Sequence, residues 1–382
     1  MSAKRRRTSA AAALGAVLAA LAFMVGCGPF EDDTASADLG SDGEPVTLTV
    51  GYQPYYTEAW SGLAMRDQEF WRKHLPEGSE VNFQVGLQGS IITSQMLAGK
   101  QQIGYVGDMP AIVAASKRDT RDLRIVATLG MSSGEMCGVF LVRNDAPEFG
   151  SQEEALKWLD GKKVAVPQGS CADRIAQGTF QKLGIEPGKY LNQSIDVITS
   201  NFESGRIDAA IIWEPTAARL VNEGLARRVA SGVLPGEPDA AFLLMDKQLI
   251  DERPDVARAW LEAELEAQAY LADPANTDAI VSAAFEQTEG FTEADLFDAL
   301  FGKWPPIVGG SEDGIRLQLP FAITPEAEEL IANSASFLHE IDAIASAELP
   351  EGAVYGQIAQ EVLDASGGAD QPAIKAQPRR GG

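Results

Sequence analysis

The stretch Gln88–Ala115, QGSIITSQMLAGKQQIGYVGDMPAIVAA, contains the alternation that decides the fold. A turn at Gly89 leads into a short helix predicted over residues 90–98, and Ile103–Val106 then forms a strand. Another helix begins at Pro110, because proline is well accepted in the first turn of a helix. Alternating strands and helices favour a parallel sheet with helices packed on both faces.

The same alternation extends along the chain in both directions. Short β-branched or apolar runs predict further strands over residues 46–50, 81–85, 138–142, 163–166, 207–213, 227–230 and 241–245. Helices are predicted over residues 59–75 and after a capping box at 151–154. Beyond Arg253 the pattern becomes helical, and the composition of residues 366–382 predicts a disordered, frayed tail.

Length and composition restrict the possible classes of protein. The chain has 382 residues, which favours two lobes over one ordinary domain, and its 45% hydrophobic content supports a sizeable core. Its 55 acidic and 31 basic residues give a net charge of −24, so it lacks the basic face that a nucleic-acid-binding protein needs. His74 and His339 are its two histidines, which excludes a multi-histidine metal centre.

Residues 1–26 are a predicted secretion signal. A basic start, Lys4–Arg7, precedes an apolar run, Ala10–Val25, and the whole segment lacks acids. As a helix the run spans about 24 Å, short of the roughly 30 Å hydrocarbon core, so a permanent transmembrane anchor is the weaker interpretation. Met24–Cys27 resembles a bacterial lipobox, in which the cysteine is lipidated. An ordinary signal peptide with an incidental cysteine is the alternative.

Residues 27–44, which begin with the cysteine of this motif, predict a lipidated tether. After Cys27 the segment contains six acids and no base, a composition typical of a solvated linker. Cleavage before Cys27 would remove the charges of Lys4–Arg7 and change the net charge from −24 to −28. Such a linker would hold a folded domain off the membrane surface. A disordered N-terminal tail would have the same composition and is the alternative.

Polar and aromatic side chains follow successive predicted strands. Gln53, Tyr55 and Tyr56 come after the first strand, Ser90 after the second and Asp108 after the third. In open α/β sheets ligands bind outside the carboxyl ends of the strands, so we expect these side chains to contribute to one site. A turn packed by its own aromatic rings is the alternative for the first group.

Residues 163–170, KVAVPQGS, end a strand and lead directly into a helix. Free N–H groups and the helix dipole make such a helix start suitable for an anion, with the Ser170 hydroxyl and the Arg174 guanidinium nearby. A plain N-cap and a solvated helix face are the alternatives for these two residues. Trp213 and Glu214 end another strand, where they could stack on and bond a ligand amine or merely close a turn.

In this order the motifs resemble the nitrate/sulfonate/taurine family of ABC-transporter solute-binding proteins. The resemblance is carried by GYQPYYT, QGSIITSQMLAGKQQIGYVGDMPAIVAA, KKVAVPQGS and SGRIDAAIIWEP, followed by Asn222–Gly224. It implies an α/β fold of the periplasmic-binding-protein type II, with two lobes joined by two crossover strands and a ligand cleft that closes by a hinge. Lobe 1 is expected over residues 45–137 and 241–365, and lobe 2 over residues 138–240.

The resemblance also implies a function and a site. Such proteins capture a solute outside the cytoplasm and pass it to an ABC permease in the membrane, and we expect a monomer without cofactor or metal. The implied cleft residues are Gln53, Tyr55, Tyr56, Ser90, Asp108, Ser132, Ser133, Ser170, Arg174, Trp213 and Glu214. An anion suits the helix start and Arg174. Asp108 and Glu214 fit a zwitterion such as taurine, or a neutral heteroaromatic such as a thiamine-precursor pyrimidine.

Cys137 and Cys171 are left once Cys27 is assigned to lipidation. Outside the cytoplasm an even pair favours a disulfide, which would close a loop of about 35 residues; free buried thiols are the alternative. Thiamine-pyrimidine synthases and an aromatic sulfinate desulfinase share the fold of this family. Because the chain lacks GxSxG, P-loop, HExxH and GxGxxG motifs, we expect a binding protein and not an enzyme. A lipoprotein that senses a ligand for a partner protein is a third interpretation.

Overall fold

The computed structural model describes residues 39–368 and 372–378. The predicted signal sequence, the lipobox cysteine Cys27 and most of the acidic linker lie outside the described residues. Within the described ranges, no helix combines the length and the apolar character that crossing a membrane requires.

The strands of the described residues form two sheets. Their bounds are β1 (Thr47–Tyr52), β2 (Glu80–Val85), β3 (Ile103–Gly107), β4 (Leu123–Ser132), β5 (Val139–Arg143), β6 (Lys163–Val166), β7 (Lys189–Asn192), β8 (Ala209–Ile212), β9 (Ala226–Ala230), β10 (Asp239–Asp246), β11 (Ile315–Gln318) and β12 (Ala373–Lys375). The first sheet has seven strands in the order β12-β11-β4-β10-β3-β1-β2. The second has five strands in the order β7-β6-β8-β5-β9.

The α-helices of the described residues lie between and after these strands. Their bounds are α1 (Trp60–Gln68), α2 (Gly89–Leu97), α3 (Asp108–Ala115), α4 (Gln152–Trp158), α5 (Cys171–Leu183), α6 (Ile195–Glu203), α7 (Thr216–Asn222), α8 (Lys247–Glu252), α9 (Pro254–Ala272), α10 (Thr277–Gln287), α11 (Glu293–Leu300), α12 (Pro325–Glu340) and α13 (Gln357–Ala365). The capping box predicted at 151–154 has its serine at the N-cap of α4, where Ser151 accepts a hydrogen bond from the Glu154 N–H.

The described chain passes between the two sheets twice. It leaves the first sheet after β4 to form β5, and it returns between β9 and β10. In the first sheet β1 is parallel to β2 and β3, whereas β10 is antiparallel to β3 and β4. In the second sheet β6 is parallel to β7 and β8, whereas β5 is antiparallel to β8 and β9. The predicted fold class, a two-lobed α/β protein with two crossovers, is confirmed.

The central strands of the first sheet are buried along their whole length. All residues of β3 and β10 are buried, as is nearly all of β4. Strands covered on both faces are continuous apolar runs and do not alternate, which is the pattern of β3 and β10. The sequence pattern does not predict the strand β4, which lies between β10 and β11.

Both ends of the described chain are more structured than the sequence predicts. Leu39 is buried, and the buried Arg253 guanidinium donates hydrogen bonds to the carbonyl oxygens of Leu39 and Glu44. This end of the predicted linker therefore packs on the fold. At the other end β12 pairs with β11 as an edge strand, where the composition predicts a frayed tail.

The helix predicted over residues 59–75 is divided in two. The first helix, α1, ends at Gln68 because Glu69 has a φ of 51°, in the left-handed region that cannot continue an α-helix. One turn of 3-10 helix, Phe70–Lys73, follows it.

Candidate ligand-binding site

A cavity of about 190 Å³, here called the inner cavity, lies between the two lobes. Its walls come from segments at the carboxyl ends of β1, β3, β6 and β8 and from the start of α2. This is the place where open α/β sheets bind ligands. None of the described residues that line it has a charged side chain.

The structure brings five of the eleven predicted cleft residues to the inner cavity. These five are Gln53, Tyr56, Ser90, Ser170 and Trp213. The other six do not line it. Tyr55 lies in a neighbouring cavity, Ser133 is exposed, and the four buried ones are Asp108, Ser132, Arg174 and Glu214.

The start of α2 is open towards the inner cavity. Gln88 precedes the helix in an extended conformation and its side chain makes no cap. Ser90 is exposed in the first turn, and no described residue bonds its hydroxyl. Unsatisfied N–H groups and the positive end of the helix dipole favour an anion at such a start.

Glycine at position 89 allows this helix start to approach the start of α3. A Cβ atom on Gly89 would lie 2.6 Å from Pro110 Cγ and 3.4 Å from Gln53 Nε2. The proline ring is rigid, so any side chain at position 89 would displace one of the two helix starts. The backbone at the wall of the cavity therefore depends on this glycine.

The start of α5 borders the same cavity, but its polar groups are already bonded. Ser170 Oγ donates to the Pro167 carbonyl at 2.6 Å and accepts from the Asp173 N–H at 3.3 Å. Asp173 also accepts from the Gly169 N–H at 2.8 Å, so its carboxylate already serves the first turn. Because the capping groups come from the helix itself, this start is a weaker anion site than the start of α2.

Tyr56 and Trp213 form an aromatic wall of the inner cavity. Their rings meet edge to face, with centroids 6.5 Å apart and planes at 88°. Both side chains are buried, so packing holds the rings in place. Gln53 is fixed beside them because its Nε2 donates to the Tyr105 carbonyl oxygen at 3.2 Å.

Glu214 does not line the cavity, contrary to the sequence-based prediction. Its carboxylate is fully buried, where one oxygen pairs with Arg228 and the other accepts from the Ala218 N–H at 2.8 Å. The Arg228 guanidinium stacks in turn on the Trp304 ring at 3.8 Å. Since the carboxylate is fully buried and does not line the cavity, it is not available to a ligand amine there.

Arg174 and Asp108 also turn away from the inner cavity. Arg174 Nη1 donates to Glu237 Oε2 at 3.0 Å, and Nη2 donates to the Pro238 carbonyl oxygen. The same Nη2 lies 3.5 Å from Asp108 Oδ2, while Asp108 Oδ1 accepts from the Met109 N–H at 2.7 Å. Both terminal nitrogens of the guanidinium are therefore occupied by protein groups, and Arg174 does not line the cavity as the ligand cation that the sequence suggests.

Three buried carboxyl groups, Glu58, Asp108 and Asp239, lie close together behind Tyr56, whose hydroxyl bonds Glu58. Burial raises the pKa of Asp108 to about 6, although the Arg174 charge opposes the shift. Burial and the charge of Asp239 raise the pKa of Glu58 well above its ordinary value. A neutral form of Asp108 and of Glu58 is thus accessible near neutral pH.

Ser132 links the two connections between the sheets through hydrogen bonds. Its hydroxyl donates to Asp239 at the start of β10 and accepts from the N–H groups of Gly134 and Met136 at 3.1 and 3.2 Å. The two connections between the sheets are thereby joined to each other. Ser133, the next residue, is exposed and is not part of the cavity wall.

Thr93 and Gln168 line the inner cavity and are not among the cleft residues predicted from the sequence. Thr93 follows Ser90 by three residues, so the two lie on the same face of α2. Helical spacing from Ser90 was therefore the signal that could have identified Thr93. Gln168 lies in the turn between β6 and α5, next to the selected Ser170.

A second cavity of about 280 Å³, here called the outer chamber, adjoins the inner one and shares Gln88 and Trp213 with it. Its apolar lining includes Leu87 and Ile91, which are 58% and 45% exposed. The other apolar or aromatic lining residues are Tyr55, Ile195 and Phe291. The charged ones are Asp196, Arg219 and Glu289.

Cys137 and Cys171 are joined by a disulfide, with their Cα atoms 6.0 Å apart. Cys137 lies in the first connection between the sheets, and Cys171 is the first residue of α5. Because Cys171 also lines the inner cavity, the bond fastens one wall of the cavity to the crossover.

Two α/β lobes joined by two crossovers around a ligand-sized cavity define the type II periplasmic-binding-protein fold. Residues 41–284, more than half of the chain, match the NMT1-like family. The chain belongs to this family.

Comparisons with individual proteins agree with this assignment. The taurine-binding periplasmic protein of Escherichia coli (strain K12) is 25% identical over 312 residues, which are 80% of this chain and 90% of that protein. The alkanesulfonate-binding protein SsuA from Xanthomonas axonopodis pv. citri, bound to MOPS, has a TM-score of 0.64 at 18% identity, covering 82% and 99% of the two chains. The desulfurization enzyme DszB, as a mutant in complex with biphenyl-2-sulfinic acid, has a TM-score of 0.62 at 16% identity, covering 85% and 100%. The two solved structures show a likeness of fold alone.

Proposed function

We propose that the chain is the solute-binding component of an ABC importer and that it holds a small organic anion in the inner cavity. The observation that carries the proposal is the open start of α2, which presents Ser90 to a cavity whose described lining is uncharged. An anion is the ligand that such a helix start favours. The likeness in sequence to a taurine-binding protein supports a sulfonate head group.

The lining of the inner cavity favours an anion over a compact zwitterion. Asp108 and Glu214, the carboxylates that the sequence suggested for a ligand amine, are buried and bonded to other protein groups. No acidic residue is among the described residues that line the cavity. Ethanesulfonate, which has the carbon chain of taurine without its ammonium group, should therefore bind at least as tightly as taurine.

The outer chamber gives the ligand room for an apolar tail. Leu87 and Ile91 expose apolar surface there, and the chamber joins the inner cavity at Gln88 and Trp213. Burying one methylene group contributes roughly 0.8 kcal/mol, or about fourfold in Kd. Hexanesulfonate should therefore bind more tightly than ethanesulfonate.

A thermal-shift screen tests the proposed function. The chain without its predicted signal sequence is heated with nitrate, ethanesulfonate, taurine, hexanesulfonate or a thiamine-precursor pyrimidine. A true ligand at 100 times its Kd stabilises the protein by about 2.7 kcal/mol. We expect sulfonates to raise the Tm most. A shift with the pyrimidine alone would favour the neutral heteroaromatic ligand, and no shift with any anion would contradict the proposal.

Export and anchoring through lipidated Cys27 complete the proposed function. An importer component must meet its solute outside the cytoplasm and remain near the permease, which a lipid anchor achieves. In the native host, Cys27→Ser should abolish labelling by palmitate and release the exported protein into the soluble fraction. Unchanged labelling would contradict lipidation at this cysteine.

A binding role also fits the described cysteines better than catalysis. Cys137 and Cys171 are bonded to each other, so neither offers the free thiol that a cysteine nucleophile needs. We expect a sulfonate to remain chemically unchanged during prolonged incubation with the protein. Mass spectrometry of the recovered sulfonate measures this. Loss of sulfonate uptake on deletion of the gene would separate transport from ligand sensing.

A further inference from the structure

Arg174 and Asp108 connect the two lobes across the cleft. We propose that this pair links closing of the cleft to proton uptake at Asp108, an inference that rests on the proposed ligand-binding function. Both residues thereby act as positioning residues: they set how readily the lobes close on a ligand that neither of them touches.

The contact between the pair joins elements of different sheets. Asp108 is the first residue of α3, which follows β3 in the seven-stranded sheet, whereas Arg174 lies in α5, which follows β6 in the five-stranded sheet. Arg174 Nη2 and Asp108 Oδ2 are 3.5 Å apart, and the two residues are 5% and 0% exposed. Through Glu237 and the Pro238 carbonyl the same guanidinium is fastened to the connection that precedes β10. Separating the lobes must therefore break this contact and expose Asp108 to water.

The surroundings of Asp108 contain more negative than positive charge. Arg174, from α5, is the cation that acts on it, and it is shared with Glu237. Asp239, from β10, and Glu58, from the turn after β1, bring two further buried carboxyl groups. Asp108 Oδ2 itself accepts no hydrogen bond from the described residues. One shared guanidinium does not offset this burial, which agrees with a pKa of about 6 for Asp108.

Opening the cleft would return the Asp108 carboxyl towards its ordinary pKa of 3.8. At pH values between 3.8 and about 6, Asp108 is therefore protonated in the closed form and ionised in the open form. The equilibrium constant for closing, and with it the affinity for the ligand, should then be roughly tenfold higher at pH 5 than at pH 7.5. The stronger binding is fully present below the lower pKa, and it is lost as the pH rises through the closed-form pKa of about 6.

Calorimetry on the unmodified protein tests the inference directly. Ethanesulfonate is the probe because its sulfonate stays ionised over the whole range. Titrations in buffers of different ionisation enthalpy should show uptake of about 0.8 proton per bound ligand at pH 5 and almost none at pH 7.5. The Kd should be about tenfold lower at pH 5 than at pH 7.5.

Three variants separate proton linkage from a merely structural role. Asp108→Asn should bind ethanesulfonate tightly at both pH values, because its neutral amide carries no charge to bury. Arg174→Gln should bind more weakly at pH 7.5 and show a larger pH step, since it leaves Asp108 without its cation. Glu237→Gln is the complementary variant: it removes the other carboxylate on Arg174, leaves the guanidinium to Asp108 alone and should therefore make the pH step smaller.

The possible outcomes are distinct. No binding of ethanesulfonate at any pH would overturn the proposed function and this inference with it. Binding with a flat profile, or with equal weakening of Asp108→Asn at every pH, would overturn this inference alone. Because the calorimetry needs no substitution, the inference is testable even if Asp108→Asn does not fold.

Discussion

The helices α2 and α5 begin on opposite sides of one cavity, yet they satisfy their first N–H groups in different ways. The start of α2 has no side-chain cap and no acid in its first turn. The start of α5 is capped by Ser170, carries Asp173 in its first turn and is fastened through the disulfide of Cys171. A start that is not satisfied within the protein is available to an anion, whereas a self-capped start is stable alone. Recognition is thus expected from the first lobe, and a fixed wall from the second.

Removing the disulfide that fastens α5 to the first connection between the sheets should produce the largest loss of stability. The bridge joins two cysteines that are separated by 34 positions in the sequence. In the chain-entropy model such a loop contributes about 3–4 kcal/mol, so the double variant Cys137→Ser/Cys171→Ser should lose that much free energy of unfolding. Denaturant unfolding of the oxidised parent and the double variant measures the difference. A loss below about 1 kcal/mol would contradict the stabilisation expected for this bridge.

A negative charge at the open helix start should give the largest loss of binding. Ser90→Asp places a carboxylate where the anion is expected, and we predict at least a 100-fold rise in the Kd of ethanesulfonate, about 2.7 kcal/mol. The same change should stabilise the helix by about 0.3–1 kcal/mol through its dipole. Ser94→Asp, one turn further along α2 and not on the cavity wall, is the matched control. Unchanged affinity in Ser90→Asp would contradict the site.

Removing the negative charge of Asp173 in the first turn of α5 should have a small effect on affinity, opposite in sign to that of Ser90→Asp. Asp173 is buried and accepts hydrogen bonds from Gly169 and from the Tyr190 hydroxyl. Asp173→Asn removes a negative charge near the cavity, so ethanesulfonate should bind about threefold more tightly at low ionic strength. Titration at two salt concentrations checks this. Weaker binding would mean that the cap of α5 matters to the ligand more than its charge.

Sequence patterns predict which residues follow the ends of strands, but they do not predict which charged side chains pair with each other. Gln53, Ser90 and Trp213 line the inner cavity because each follows a strand end, a position that local patterns reveal. Arg174 and Glu214 also follow strand ends, but their partners, Glu237 and Arg228, lie elsewhere in the chain and meet them only in the fold. A charged residue near a predicted cleft is therefore a weaker indication of ligand contact than a neutral polar one.

Tertiary pairing also explains the parts of the fold that the sequence did not reveal. The polar Arg124 and Thr128 interrupt the apolar pattern of β4, and in the structure both are buried and bonded by neighbouring segments. The strand β12 exists because β11 offers an edge, and its own composition resembles a tail. Neither feature is encoded locally.

The difference between the two helix starts is tested most directly by measuring affinity and stability together in Ser90→Ala and Ser170→Ala. Loss of the Ser90 hydroxyl should raise the Kd of ethanesulfonate about tenfold and leave the Tm within about 1 °C. Loss of the Ser170 cap should lower the free energy of unfolding by about 1 kcal/mol and change the Kd less than threefold. The reverse pattern, with binding lost in Ser170→Ala and stability lost in Ser90→Ala, would contradict the account.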